Sequence, residues 1–285
     1  MSESEPGPVG VRPRILVGVD GSADGLRAVM YAMRHAMADG ADVWVVHVVD
    51  DEAPVGGLWE LVSTPAGLRK LGQAKLDEAV GVLSAEGFPS ERVVAELLDG
   101  RPGDVLVNLS ERAELMVTGR RSISGLARLF VGSTSVEAAA HASCPVVVIS
   151  AASTPHRTGG LQSVAVAVSS WPAHQAALEW GLREAVLRKA RLRVIHVVPQ
   201  TLGIEGAAFM AAAASGLDSQ LLPLRQRHPE TSVEVEVMLG DPVDALVAVT
   251  KTVDLLILGT SDAPVLGGSI RGVMAHSHCP VGVTR

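Results

Sequence analysis

The stretch RILVGVDGSADGLRAVMYAMRHA, residues 14–36, returns 149 residues later as SVAVAVSSWPAHQAALEWGLREA, residues 163–185. At the same offset ADVWVVHVVD (41–50) returns as ARLRVIHVVP (190–199), setting His47 over His196. GRPGDVLV (100–107) matches GDPVDALV (240–247) and AELMVTG (113–119) matches VDLLILG (253–259), both at an offset of 140. HASCPVVV (141–148) meets HSHCPVGV (276–283) at 135. Self-similarity on this scale means that one structural unit has been duplicated. The chain must therefore fold as two copies of one domain, the second copy shorter by nine residues in its middle and by five more between Gly259 and Cys279.

Each copy alternates short β-branched runs with longer helical patterns, as a parallel sheet covered on both faces requires. In the first copy the runs predict strands near 14–19, 43–49, 92–97, 114–118 and 145–150. Leu26, Val29, Met30, Met33 and Met37 recur at helical spacing after the polar DGSAD, where a helix can be capped. Further helices fit about 61–86, 103–112 and 132–142, whereas 51–75 and 199–218 lack a clear period and are expected to cover a ligand cleft. Five strands with four crossovers predict an α/β chain of two tandem Rossmann-like, doubly wound domains. Each has a five-stranded, mainly parallel sheet flanked by helices, with ligands at the C-terminal strand ends. The divisions read as a flexible tail over 1–12, a first domain over 13–151, a linker over 152–160 and a second domain over 161–285.

With 285 residues and 47% hydrophobic content, each half can bury a core. The longest apolar runs, such as PVVVIS (145–150) and DLLILG (254–259), fall well short of the roughly 20 residues that cross a bilayer. The acidic, Pro- and Gly-rich start does not read as a secretory signal, and two cysteines, Cys144 and Cys279, suit a reducing compartment, so the expected location is cytoplasmic. A formal charge of −7 and 3% aromatic residues argue against nucleic-acid binding, which draws on clustered cations and stacking rings.

The loop GRRSISGLARLFVGST (119–134) is placed to hold a ligand. Gly119 ends the fourth predicted strand, and Gly132, Ser133 and Thr134 open the last helix, a position where exposed N–H groups and the helix dipole favour phosphate. The glycines allow close backbone approach, the hydroxyls can donate, and Arg120 and Arg121 add charge. Taken alone, such a loop reads equally well as a structural turn.

ILVGVDGS, VVHVVD, GRPGDVLV, and VTG followed by GSTSVEAAAHASCPVVV together resemble the universal stress protein family, here as a tandem of two such domains. One large branch of that family binds ATP through Gly, two residues, Gly, nine residues, then Gly with Ser or Thr. Gly119, Gly132 and Ser133 keep this spacing, while Ser122 stands where the pattern has its second glycine. The resemblance implies ATP as the cofactor, with or without Mg²⁺, Asp20 beside the adenosine portion and Val48 lining the adenine pocket. By local sequence alone Asp20 reads equally as a helix N-cap. In the second copy Ser169 replaces Asp20, and the corresponding loop, counted from Gly259 to Gly268 and Ser269, is four residues shorter and carries Asp262 but no arginine, so that half is expected to have lost nucleotide binding.

His47, His196, His141 and His276 show no metal-ligand spacing and read as packing residues, and Cys144 and Cys279 as inert core thiols. Neither a Walker lysine nor a nucleophile elbow is present, so no enzyme is expected beyond slow ATP hydrolysis. Three functional readings stay open: an ATP-responsive stress or regulatory protein with a protein partner, a nucleotide-free interaction module of the same fold, and, third, an enzyme on that fold such as a nucleotidyl transferase or adenine-dependent hydrolase, for which no catalytic motif is recognisable. In the family's strand order PVVVIS and PVGVT lie at sheet edges, and pairing them within the chain or in a homodimer would close those edges.

Overall fold

The computed structural model describes residues 12–50, 64–120, 131–153, 162–169, 175–199, 206–260 and 265–285. The first half runs β1 (Arg14–Gly18), α1 (Ala23–Asp39), β2 (Asp42–Val49), α2 (Pro65–Ala85), β3 (Val93–Asp99), α3 (Pro102–Ser110), β4 (Leu115–Gly119), α4 (Ser133–His141) and β5 (Val146–Ile149). The second repeats it as β6 (Ser163–Ala167), α5 (Gln175–Arg188), β7 (Arg191–Val198), α6 (Gly206–Arg227), β8 (Val233–Leu239), α7 (Pro242–Val249), β9 (Leu255–Gly259), α8 (Gly268–His276) and β10 (Val281–Thr284). Local chemistry sets the helix ends. Ser22 caps α1 by accepting from the Gly25 N–H, and Gly40, in the left-handed region at φ 83°, closes it onto the Ala36 carbonyl. Thr64 and Pro65 start α2, so part of the stretch that lacked a clear period is helical, as is 206–218 within α6. Residues 61–63, where the sequence pattern would begin α2, lie outside the described residues.

The ten strands among the described residues join one sheet in the order β3-β2-β1-β4-β5-β10-β9-β6-β7-β8. Within each half every pairing is parallel, as expected. The halves meet where β5 and β10 pair antiparallel, Val146 opposite Val283 and Val148 opposite Val281, so the two apolar edges close on each other within one chain. Alternation along the strands feeds two core layers. Ile15 and Val17 point into the layer covered by α1, α2, α5 and α6, and Leu16 into the one covered by α3, α4, α7 and α8.

A buried polar cluster joins the halves where α1 meets α5. His35 Nε2 lies 2.8 Å from Glu184 Oε1, and His35 Nδ1 makes an ion-pair contact with Asp39 Oδ2 at 3.0 Å. Glu184 also accepts from Trp180 Nε1 (3.1 Å) and Arg188 Nε (3.0 Å), while Arg188 Nη2 donates to the Tyr31 hydroxyl (2.7 Å). Burial alone would push the His35 imidazole down, but the two carboxylates outweigh it and hold it up at about 9. Burial would likewise raise the Glu184 carboxyl, and His35 and Arg188 instead bring it down to about 2.

Candidate functional site

In each half the strand order reverses direction between the first and fourth strands, and in open α/β sheets the ligand crevice lies outside the carboxyl ends at that switch point. The first half brings Asp20, just beyond β1, and Gly119, at the end of β4, to that crevice. Asp20 is half-buried and its Oδ1 accepts from the Ser22 N–H (3.0 Å), a turn made possible by Gly21 at φ 79°. The capping role thus belongs to Ser22, and Asp20 sits two residues upstream, just beyond the end of β1. His47, on β2, is buried, and burial pushes its imidazole down despite the Val19 contact. Its Nδ1 lies 2.7 Å from the Val19 carbonyl, which can only accept, so Nδ1 carries the proton. His196 repeats this bond to Val168 at 2.9 Å, so both histidines pin the end of their first strand.

Gly132 is the N-cap of α4 in extended backbone, with no side-chain cap on the helix, and Ser133 (exposed) and Thr134 (half-buried) form the first turn. Among the described residues no side chain caps the first N–H groups of α4, which carry the positive end of the helix dipole. Gly119 has a packing role that the sequence did not reveal: a Cβ there would fall 2.5 Å from the Asp24 carbonyl carbon and 2.6 Å from the Gly25 nitrogen. The N-terminus of α1 rests directly on the end of β4.

One reading needs correction. Arg120, expected to add charge for phosphate, is buried, and its Nη1 donates across the halves to the Ala275 carbonyl and, at 3.2 Å, to that of Met274, in the last turn of α8. A cation at a helix C-terminus satisfies orphan carbonyls and the dipole together, so this guanidinium serves the junction between the halves. Val48, next to the carboxyl end of β2, packs in the core layer with Leu16, Trp44, Val46 and Leu106. Arg121 and Ser122 lie outside the described residues.

Lys75 was not singled out by the sequence. It lies on α2, and its Cγ would sit 2.9 Å from a Cβ at Gly21, which places its stem against the Asp20 turn. Its position, in the stretch 51–75 that lacked a clear period, hid it.

The second half keeps the histidine contact but is altered at the positions of Asp20 and the loop. Ser169 follows β6, and the N-cap of α8 is Gly267, one residue earlier than the sequence count placed it. Gly119 and Gly132 are separated by 13 positions, Gly259 and Gly267 by 8, so this loop is five residues shorter. A pocket of about 190 Å³ opens beside Ser169 and His196 under Ala213, Gly216 and Leu217 of α6. In the first half α2 sits closer: a Cβ on Gly72 would lie 2.8 Å from the His47 ring. Among the described residues no cluster of three His, Cys, Asp or Glu side chains could hold a metal, and no helix is long and apolar enough to cross a membrane.

The model of the universal stress protein family matches residues 12–150 and again 160–285, and the chain belongs to that family as a tandem of two such domains. Universal stress protein Rv2005c of Mycobacterium tuberculosis is 25% identical over 277 residues, covering 92% of each chain. The crystal structure of a universal stress protein from Archaeoglobus fulgidus superposes with a TM-score of 0.70 at 17% identity, over 95% of this chain and 96% of that one. Among structures that match about half of this chain is a universal stress protein in complex with cAMP, at 25% identity, covering 49% of this chain and 98% of that one, with a TM-score of 0.35.

Proposed function

We propose that the first half binds ATP in the β1/β4 crevice and that the chain is a cytoplasmic, nucleotide-responsive regulatory protein without rapid chemistry. The observation that carries this reading is that Ser135 of α4 donates to the Gly119 carbonyl (2.9 Å) while Gly119 packs on the start of α1, which sets the Asp20 turn beside an α4 N-terminus with no side-chain cap among the described residues. A carboxylate at Asp20 accepts from ribose hydroxyls or the adenine amino group and would repel phosphate, so it fixes which end of the nucleotide lies at β1. The phosphates then meet the first N–H groups of α4 and the hydroxyls of Ser133 and Thr134. With Arg120 committed elsewhere, Lys75 is the cation beside the Asp20 turn, and Mg²⁺ carried in with ATP would supply further charge. The second half, with Ser169 and the shorter loop, is the weaker site and acts as a structural partner. Among the described residues no nucleophile or acid–base pair marks either crevice, and turnover is expected to be at most slow. Because β5 and β10 already pair with each other, a homodimer would have to use another surface.

Titration of the nucleotide-stripped chain with Mg²⁺-ATP by calorimetry tests the proposal, with one site per chain expected. Gly132→Glu should abolish binding without unfolding the protein, since an acid at a helix N-terminus stabilises the helix while repelling phosphate. Two sites would restore the second half to function. Unchanged affinity in both Gly132→Glu and Asp20→Ala would remove the crevice, and no binding by a folded wild type would leave the interaction module.

A further inference from the structure

A second cavity, of about 420 Å³, opens at the junction of the halves and shares no lining residue with the nucleotide crevice. Its wall is one stripe of α1, in which Ala23, Leu26, Arg27, Met30, Tyr31 and Arg34 recur at helical spacing. Ile149 and Ser153, at and beyond the end of β5, and Asp254 and Pro280 of the second half complete it with Val82 of α2. Its size falls within the roughly 300–1,000 Å³ of small-molecule clefts.

The charges in this groove are unequal in their commitments. Arg27 is paired with Asp24 at 2.7 Å. Asp254 accepts from the Ser163 N–H at 2.8 Å. Arg188, next to Arg34, is held by Glu184 and Tyr31. Arg34 forms no hydrogen bond or ion pair among the described residues, although it faces Tyr31 and, at longer range, Glu86 and Arg188. An unpaired guanidinium beside Leu26, Met30, Tyr31, Ile149 and Pro280 matches a ligand with one negative head and an apolar body. The planar fork of arginine suits a carboxylate held by two parallel N–H bonds. Asp254 and Glu86 leave little excess positive charge, which selects a single negative charge over the two of a phosphate monoester.

We propose that this junction groove is a second binding site, for a small amphipathic monocarboxylate whose head group pairs with Arg34 and whose aliphatic or aromatic body lies along the apolar α1 stripe. A ligand seated there touches both halves and would stabilise their junction.

The test is calorimetric titration of the full chain with decanoate below its micellar concentration, beside decanol and decyl phosphate. Saturable binding of one decanoate per chain is expected, with decanol and decyl phosphate weaker. Arg34→Gln, an exposed change that leaves the fold intact by circular dichroism, should weaken decanoate by about tenfold or more, the share of a charge-assisted bond, and leave Mg²⁺-ATP affinity unchanged. Equal decanoate affinity in Arg34→Gln would overturn the proposal, and so would tighter binding of decyl phosphate. Competition between decanoate and ATP would place the fatty chain in the nucleotide crevice instead. Absence of saturable decanoate binding by the folded chain would overturn it as well.

Discussion

Substituting Gln for His35 keeps a polar side chain where α1 meets α5 but removes the group that titrates there. The His35 side chain is 9% exposed, between Glu184 and Asp39, so solvent screens the interaction little. Its imidazole is held up at about 9, against 6.5 for an ordinary histidine. At about 1.4 kcal/mol per unit, the folded state's hold on this proton is worth on the order of 3 kcal/mol. Because the folded value is the raised one, the contribution is fully present below about pH 6.5, declines as the pH rises through 9, and is gone above that. The depression of Glu184 to about 2 expresses the same ion pair from the other partner, so the two are not added. Urea denaturation of the full chain near pH 6 and near pH 10, at constant ionic strength, measures the effect. Wild type should lose on the order of 3 kcal/mol more than His35→Gln between those two conditions. A difference below about 1 kcal/mol would refute the view that a protonated histidine locks the halves together.

Gly119→Ala should destabilise the chain by about 1–3 kcal/mol, because the new methyl meets the backbone of Asp24 and Gly25 rather than a yielding side chain. Thermal or urea unfolding reads this, and a wild-type midpoint would mean that α1 shifts at no cost. Cys144 and Cys279 are free thiols, each pushed up to about 12 chiefly by burial. Ellman's reagent at about pH 8 should therefore label neither on the timescale of a free thiol until urea unfolds the chain, and rapid labelling of the folded protein would contradict their burial.

The repeat, the strand runs and the apolar edge strands were legible because each is a local pattern or a comparison of the chain with itself. Placement of Gly119 and Gly132 at a crevice followed from the alternation of strands and helices, since the switch point is a property of the topology. What stayed hidden depends on pairs far apart in sequence. Nothing near Arg120 indicates that its partners are the Met274 and Ala275 carbonyls, and its neighbour Arg121 invited a joint reading as a basic pair. His35 and Glu184 stand at equivalent turns of α1 and α5, 149 positions apart, the offset of the repeat itself, yet only the closing of the sheet brings them together. The one-residue displacement from Gly268 to Gly267 arose because Gly-Gly offers two candidate caps, and backbone conformation chooses between them.

Duplication followed by pairing of the last strands has a mechanical consequence. The residue that begins the candidate phosphate loop, Arg120, is also the one whose side chain holds the end of α8 in the other half. Its backbone N–H meanwhile bonds the Ile149 carbonyl of the junction strand β5. A ligand that reshapes the loop after Gly119 must either leave Arg120 fixed, confining the change to the residues beyond it, or break buried hydrogen bonds to carbonyls that have no other side-chain donor among the described residues. Leaving such groups unsatisfied costs roughly 1–3 kcal/mol each, comparable with a typical coupling energy between two sites. The second half, with its altered crevice, thereby retains a physical stake in the state of the first, because one side chain belongs to both.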